Sequence, residues 1–219
     1  MKRVDDLQFG GLVLVQDTAL PRFSEDSVLL ANFLRLGPGD RAVDLGSGTG
    51  LLSVLGQGKT GAAFVGVERQ AALCALSQES AARNGQDIPF YEMDVADAPD
   101  FFGHGSFTAA VCNPPYFTAG GPSADGSRAM ERHGQTDTLS VFLRAAFLLL
   151  KNGGALYLCY PAPALAALFC ALSDARLAPK RLRLVSNGVE KAPRLALVQA
   201  KKNAKQGLIV EPVQFLTQG

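Results

Sequence analysis

The chain predicts an α/β fold: one mostly parallel sheet, covered by helices on both faces, with an antiparallel hairpin closing it at the C-terminus. Three observations carry that expectation. From Arg41 onward, short apolar runs alternate with longer helical ones. A strand ending at Asp44-Leu45 runs straight into a glycine-rich turn that opens a helix. Beyond the last helical run, the tail trades helices for three successive strand-like runs. With 219 residues, 47% hydrophobic and 19% charged, the chain suits one main domain with small appendages, and a disordered or collagen-like chain is excluded.

Taken in order, residues 7–20 read as a small extended lead-in. Ser24-Glu25-Asp26 reads as a helix start, a capping hydroxyl followed by acids in the first turn. Val28, Leu29, Leu30, Phe33 and Leu34 supply that helix's apolar stripe, and Gly37-Pro38-Gly39-Asp40 ends it. Candidate strands follow at 41–45, 62–68, 88–93, 107–112 and 154–160, with helical segments near 51–57, 70–83, 136–151 and 164–173. The tail reads as strands at 179–187, 193–201 and 208–214. Residues 1–40 are thus expected to pack as a lead-in on the ligand site, and 41–219 to form one structural unit.

Composition narrows the function. Net charge is +1, so no global field draws the chain to nucleic acid or an anionic membrane, and such a partner must use a local patch. One candidate exists: between Arg176 and Lys205 nine Lys and Arg face Glu190 alone. The four cysteines include no CxxC pair, and His104 and His133 are the only histidines, so no metal site is expected and the thiols read as reduced and mostly buried. The N-terminus lacks the apolar stretch of a signal peptide. Asn152–Ser173 carries no formal charge, yet Gly153, Gly154, Pro161 and Pro163 cut it into pieces far shorter than the roughly 20 residues of a membrane span. A cytoplasmic protein without a membrane partner is the expectation, and nothing in the sequence speaks to oligomeric state.

Ala42-Val43-Asp44-Leu45-Gly46-Ser47-Gly48-Thr49-Gly50-Leu51 is a strand, a turn and a helix start in one run. Gly46, Gly48 and Gly50 allow positive φ and close approach of a ligand to the backbone. A dinucleotide fingerprint wants Gly or Ala where this chain has Leu51. Asp44 also disfavours a pyrophosphate and suits a ligand with cationic groups, such as a sulfonium–amino-acid cofactor. Glu68 ends the second strand at the offset from which an acid reaches ribose hydroxyls. Asp94 ends the third, where it can accept from an adenine amino group. Three acids at the carboxyl ends of three successive strands mark the edge at which open α/β sheets bind ligands.

A fourth buried strand, Ala109-Ala110-Val111-Cys112, runs directly into Asn113-Pro114-Pro115-Tyr116-Phe117. Two prolines fix φ and remove N–H donors, so the Asn113 side chain and the Pro114 carbonyl are presented as rigid acceptors. An amine conjugated to a ring or a carbonyl is a poor nucleophile. Two acceptors on its hydrogens favour pyramidalisation and stabilise the positive charge that develops on nitrogen during attack. Tyr116 and Phe117 can stack on a planar substrate. The motif is similar to that of the amino-methyltransferases acting on adenine N6, cytosine N4 or glutamine N5, and it does not choose among them.

Val43 to Leu51, followed by Gly66-Val67-Glu68, resembles the cofactor motifs of class I S-adenosylmethionine-dependent methyltransferases, and Asn113 to Tyr116 is similar to the motif of their amino-methyltransferases. The resemblance implies a Rossmann-like, seven-stranded fold and S-adenosylmethionine as methyl donor. Cofactor contacts are then expected at Asp44, Gly46, Ser47, Gly48, Gly50, Glu68, Asp94 and Asn113, with Asn113, Pro114 and Tyr116 catalytic. Residues Asp5 to Leu12, Gln16 and Phe23 to Leu30 resemble the N-terminus of the bacterial tRNA(Val) adenine-N6 methyltransferases. That likeness implies an adenine in tRNA as substrate and places Phe23, Ser24 and Asp26 at the methionine end of the cofactor. For RNA, the expected contacts are Tyr116, Phe117, Arg128 and Arg132 in a substrate loop over 118–135, and Arg194, Lys201, Lys202 and Lys205 in the basic tail. A protein glutamine or another amine remains the alternative substrate. A non-catalytic RNA-binding module leaves Asn113-Pro114-Pro115-Tyr116 unexplained, and a nicotinamide oxidoreductase is disfavoured by Leu51.

Overall fold

The computed structural model describes residues 1–20, 24–115 and 128–216, with the side chains of 128–137 outside that description. An antiparallel hairpin, β1 (Lys2–Asp6) and β2 (Val13–Asp17), precedes α1 (Glu25–Phe33). Next come β3 (Arg41–Leu45), α2 (Leu51–Thr60), β4 (Ala63–Glu68), α3 (Ala71–Arg83), β5 (Phe90–Glu92), α4 (Ala98–Phe102) and β6 (Phe107–Cys112). The chain continues through α5 (Arg128–Leu149), β7 (Leu150–Pro161), α6 (Leu165–Asp174), β8 (Leu177–Ser186) and β9 (Leu195–Lys202). It ends in two short strands, β10 (Ile209–Val210) and β11 (Gln214–Phe215).

Seven strands form the run β8-β9-β7-β6-β3-β4-β5, the number that the resemblance to class I methyltransferases implies, and β10 and β11 add two residues each along β8. Neighbours from β5 to β7 are parallel, whereas β9 is inserted antiparallel to both β7 and β8. Alternation along the strands feeds two cores, one on each face. In β6, Phe107, Ala110 and Cys112 join the core under α5 and α6, while Ala109 and Val111 join the core under α1 and α2. The next strand does the same, with Leu156, Leu158 and Tyr160 on one side and Ala155, Tyr157 and Cys159 on the other. Helices on both sides explain why these strands read as nearly unbroken apolar runs. The lead-in joins this body too, since Leu14, Leu29, Leu30 and Phe33 are buried in the second core.

Four expectations need correction. The lead-in is a paired hairpin and starts earlier than residue 7, closed by a turn in which Gly10 and Gly11 take positive φ. Helix α4 is missing from the sequence reading because five residues containing Pro99 show no helical period. The 208–214 run does not extend the antiparallel hairpin: its two pieces pair parallel to β8, separated by residues 211–213, of which Glu211 accepts from Arg181 Nε at 2.7 Å and from Arg183 at 2.6 Å. Finally, helix α5 is already under way at 128, so an irregular loop through 135 is too long; residues 116–127 lie outside the described residues. The uncharged stretch 152–173 divides into β7, a 3-10 turn at Ala162–Ala164 and α6, and no helix among the described residues is long and apolar enough to cross a membrane.

Candidate active site

Strands β3, β4 and β6 end side by side, and α1 caps the edge they share by packing on α2, β7 and β9. Asp44, Gly46, Ser47, Gly48, Ser24 and Asn113 line one cavity there, joined by Ser27, Thr49, Leu51, Leu52 and Leu73. Gly46 and Gly48 hold φ of 73° and 56°, which a residue with a side chain takes only under strain. Gly50, at φ 80°, does not line the cavity; a Cβ there would meet Ser77 at 3.0 Å, so this glycine lets α2 approach α3.

The acids do different things. Glu68 is buried, and its carboxylate ties the turn to β4: Oε2 accepts from the Gly48 N–H at 3.0 Å and Oε1 from the Gln70 N–H at 2.9 Å. Each oxygen retains a lone pair for a ligand hydroxyl. Asp44 is fully buried and accepts from Ser53 Oγ at 2.8 Å. Burial pushes its carboxyl pKa up to about 7; the Ser53 hydrogen bond opposes that shift and the charge of Glu68 adds to it. Asp94 is exposed just past β5 and accepts from the Ala96 N–H at 2.9 Å, a turn-capping role compatible with a further acceptor contact. Asp26 is paired instead with Arg194 at 2.6 Å, and Glu25 with the same guanidinium at 2.8 Å, so β9 is clamped to α1.

Ser24 stands at the α1 N-cap position without a capping side-chain bond, contrary to the sequence reading. Its hydroxyl accepts from Asn113 Nδ2 at 3.0 Å, and Ser27 Oγ accepts from the same nitrogen at 3.0 Å. On the other side, the Cys159 thiol donates to Asn113 Oδ1 at 3.1 Å. Pro114 is buried. Phe23, Tyr116 and Phe117, and the side chains of Arg128 and Arg132, lie outside the described residues.

The basic tail does not form one surface. Arg181 and Arg183 are bound to Glu211, and Arg194 is bound to α1 at the cavity edge. Lys201 pairs with Ala155 at the opposite end of β7, roughly 20 Å away at about 3.3 Å per residue of β9. Lys202 folds back on that end, donating to the Leu150 carbonyl at 2.8 Å with its ammonium over the Phe147 ring. Lys205 is exposed nearby and accepts from Lys180 Nζ through its carbonyl. Arg194 therefore does not stand with the three lysines. Sequence reading missed Ser27 and Cys159: Ser27 is legible as Ser24 + 3 on one helix face, whereas Cys159 has no signal short of the β6–β7 register.

Two features of this cavity suit a polar ligand such as the amino-acid end of S-adenosylmethionine. Ser47 Oγ is buried in its wall with no hydrogen-bond partner among the described residues, a cost that a polar ligand removes. Gly48 faces open space, with nothing within 4 Å of an added Cβ, and forms a cradle for that ligand. No cluster of three or more His, Cys, Asp or Glu able to hold a metal occurs among the described residues.

Solved methyltransferases share the architecture. A predicted O-methyltransferase from Agrobacterium tumefaciens superposes with a TM-score of 0.70 at 20% identity, over 87% of this chain and 86% of its own. The Thermus thermophilus 16S rRNA N2 G1207 methyltransferase, in complex with AdoMet and guanosine, does so at 0.65 and 21% identity, over 92% of this chain and 50% of its own. The fold is that of the class I methyltransferases. The methyltransferase small domain family model matches residues 22–163, and the chain belongs to that family. Among its relatives, the tRNA1(Val) (adenine(37)-N6)-methyltransferase of Shewanella sp. (strain MR-4) is 30% identical over 87% of this chain and 80% of its own. The enzyme of the same name from Shewanella amazonensis is 34% identical over 80% and 76%. The protein is an S-adenosylmethionine-dependent N-methyltransferase.

Proposed function

We propose that the protein methylates N6 of an adenine in tRNA, with Asn113 as the acceptor for the target amine. The supporting observation is the position of Asn113: it directly follows β6 and lines the same cavity as Gly46, Ser47 and Gly48, with both Nδ2 hydrogens already donated to Ser24 and Ser27. What remains is an oxygen able only to accept. S-adenosylmethionine, when bound, supplies an electrophilic methyl group on a sulfonium. Around it the chain's own residues divide the work. The backbone of Gly46 and Gly48 and the Ser47 hydroxyl hold the amino-acid end, with Phe23 and Ser24 closing over it. Asp44 faces its cationic groups, Glu68 accepts from the ribose hydroxyls, and Asp94 accepts from the adenine amino group. Asp26 acts one step back, seating α1 through Arg194.

On the substrate side, Asn113 Oδ1 and the Pro114 carbonyl accept the two hydrogens of the exocyclic amine. Charge developing on nitrogen is stabilised by dipoles that need no reorganisation. No general base is required for the attack. Tyr116 and Phe117 stack on the flipped base, and Arg128, Arg132, Lys201, Lys202 and Lys205 meet phosphates away from it. The relatives named for tRNA adenine-N6 methylation support the choice of adenine over cytosine or glutamine. Mass spectrometry of nucleosides from total tRNA, before and after incubation with protein and S-adenosylmethionine, tests it. N6-methyladenosine rises with the wild type and stays flat with Asn113→Ala. Methyl transfer only to protein, or near-normal turnover in Asn113→Ala, overturns the proposal.

A further inference from the structure

The Asn113 amide has a problem of sense. Its carbonyl and amino ends are nearly identical in shape, and only the carbonyl end can accept from a substrate amine. Ser24 and Ser27 cannot settle the matter alone, because a hydroxyl donates as readily as it accepts and would satisfy either orientation. The third neighbour differs. Cys159 Sγ lies 3.1 Å from Asn113 Oδ1, and a thiol donates S–H weakly and accepts weakly, so it does not replace a serine oxygen as the acceptor for Nδ2. If the amide were reversed, Nδ2 would point an N–H at sulfur, a weaker acceptor than either serine oxygen, and Oδ1 would be turned to Ser24 and Ser27.

We infer that Cys159 is a positioning residue for methyl transfer, its thiol fixing the sense of the Asn113 amide by donating to Oδ1. This rests on the reading of Asn113 as the acceptor for the target amine. Cys159 is not among the cavity-lining residues and is fully buried, so it acts through Asn113. Strand register brings the two together. In the parallel ladder Cys112 pairs with Leu158, so the next residues along, Asn113 and Cys159, meet on the face that α1 covers. The donor also persists: burial first, then the nearby charge of Asp26, raises the thiol well above its ordinary range and keeps S–H intact.

Cys159→Ala and Cys159→Ser, assayed in single turnover with S-adenosylmethionine and unmodified total tRNA, test the inference. Removing the donor lets the amide turn and wobble, so Cys159→Ala should slow methyl transfer about tenfold, as small misplacements of a catalytic group do. KM for tRNA and cofactor affinity should stay within about twofold, because neither ligand touches Cys159. Cys159→Ser keeps a donor and should recover to within about threefold of the wild type. An unimpaired Cys159→Ala, or equal losses in both variants, overturns the inference. Asn113→Ala runs alongside: if it retains turnover, the reading of Asn113 itself has failed, whereas an inactive Asn113→Ala beside a normal Cys159→Ala sinks only the role of the thiol. A measurement independent of substrate, and of whether Cys159→Ala folds, is the 13C resonance of the Asn113 side-chain carbonyl. It should move downfield in Cys159→Ser as a stronger donor replaces S–H, and an unmoved resonance overturns the inference.

Discussion

Arg194, just before β9, and Lys201 and Lys202, at its far end, are cations on one short stretch of chain, and they do opposite things. Arg194 lies at the carboxyl edge of the parallel strands, where it holds Asp26 and Glu25 at 2.6 and 2.8 Å and fixes α1 over the cavity. The two lysines lie at the amino edge, partly exposed, with Lys202 folded onto Leu150 and Phe147. The difference comes from direction. Because β9 runs antiparallel between β7 and β8, its seven steps carry the chain from the catalytic edge to the opposite one. A run of basic residues that looks like one patch in sequence is therefore divided between a structural clamp and a solvent-facing edge.

If that division is right, variants at the two edges separate cleanly. The largest effect belongs to the catalytic edge: Glu68→Ala should lower affinity for S-adenosylmethionine by roughly 10- to 150-fold, the equivalent of about 1.5 to 3 kcal/mol for hydrogen bonds to a charged group. Titration calorimetry checks this, and undiminished affinity would remove Glu68 from the cofactor site. Next comes Arg194→Ala, which takes the guanidinium away from the mostly buried Asp26. The cost of breaking a fully buried pair, about 3 to 5 kcal/mol, is discounted because the Arg194 side chain is 31% exposed. About 2 kcal/mol remains, a fall in Tm of roughly 4 to 8 °C for a chain of this size. Lys201→Ala in the same melting experiment should move Tm by less than about 2 °C; equal shifts would erase the distinction between the two ends of β9.

A pH series sharpens the contrast further. Burial raises Asp44 from 3.8 to about 7, so between those values the folded chain holds a proton that the unfolded chain has released. Its contribution is fully present below about pH 4 and declines as pH rises towards 7, levelling off above that. Denaturant unfolding at several pH values should show this slope in the wild type and a flatter profile in Asp44→Asn, since the amide does not titrate. Identical profiles would mean that Asp44 is already charged in the folded state. The smallest effect on the site itself belongs to the far edge. Neutralising Lys201, Lys202 and Lys205 together should leave cofactor affinity unchanged, and should reduce the slope of log tRNA affinity against log salt by about 0.7 to 0.9 per lost phosphate contact. An unaltered slope would leave the lysines as solubilising surface.

Much of this architecture is legible in one dimension because its signals are local. Glycines at 46, 48 and 50 between an apolar strand and a helix imply a turn, whatever surrounds it. The strand–Asn–Pro–Pro order places Asn113 at a sheet edge for the same reason. Less legible are α4, too short for a period, and β10 and β11, two residues each, which pair parallel to β8 on either side of the segment whose Glu211 is held by Arg181 and Arg183. Ser24 shows how a correct position can hide a wrong partner. It stands at the helix N-cap as its residue type suggests, yet its hydroxyl is turned to Asn113, 89 residues away.

From the sequence alone come the alternation of strands and helices, the glycine turn with its acids, and the asparagine that follows the fourth strand; each depends on residues within one turn or one strand of each other. Tertiary structure alone decides which side chains those residues meet. Asn113 gains Ser27 from a helix that precedes the sheet and Cys159 from the neighbouring strand; Arg194 is taken up by α1, and Lys201 is carried to the far edge. The physical reason is the same in each case. Hydrogen bonds and ion pairs act over about 3 to 4 Å, and only strand order, direction and register bring residues far apart in the chain within that reach.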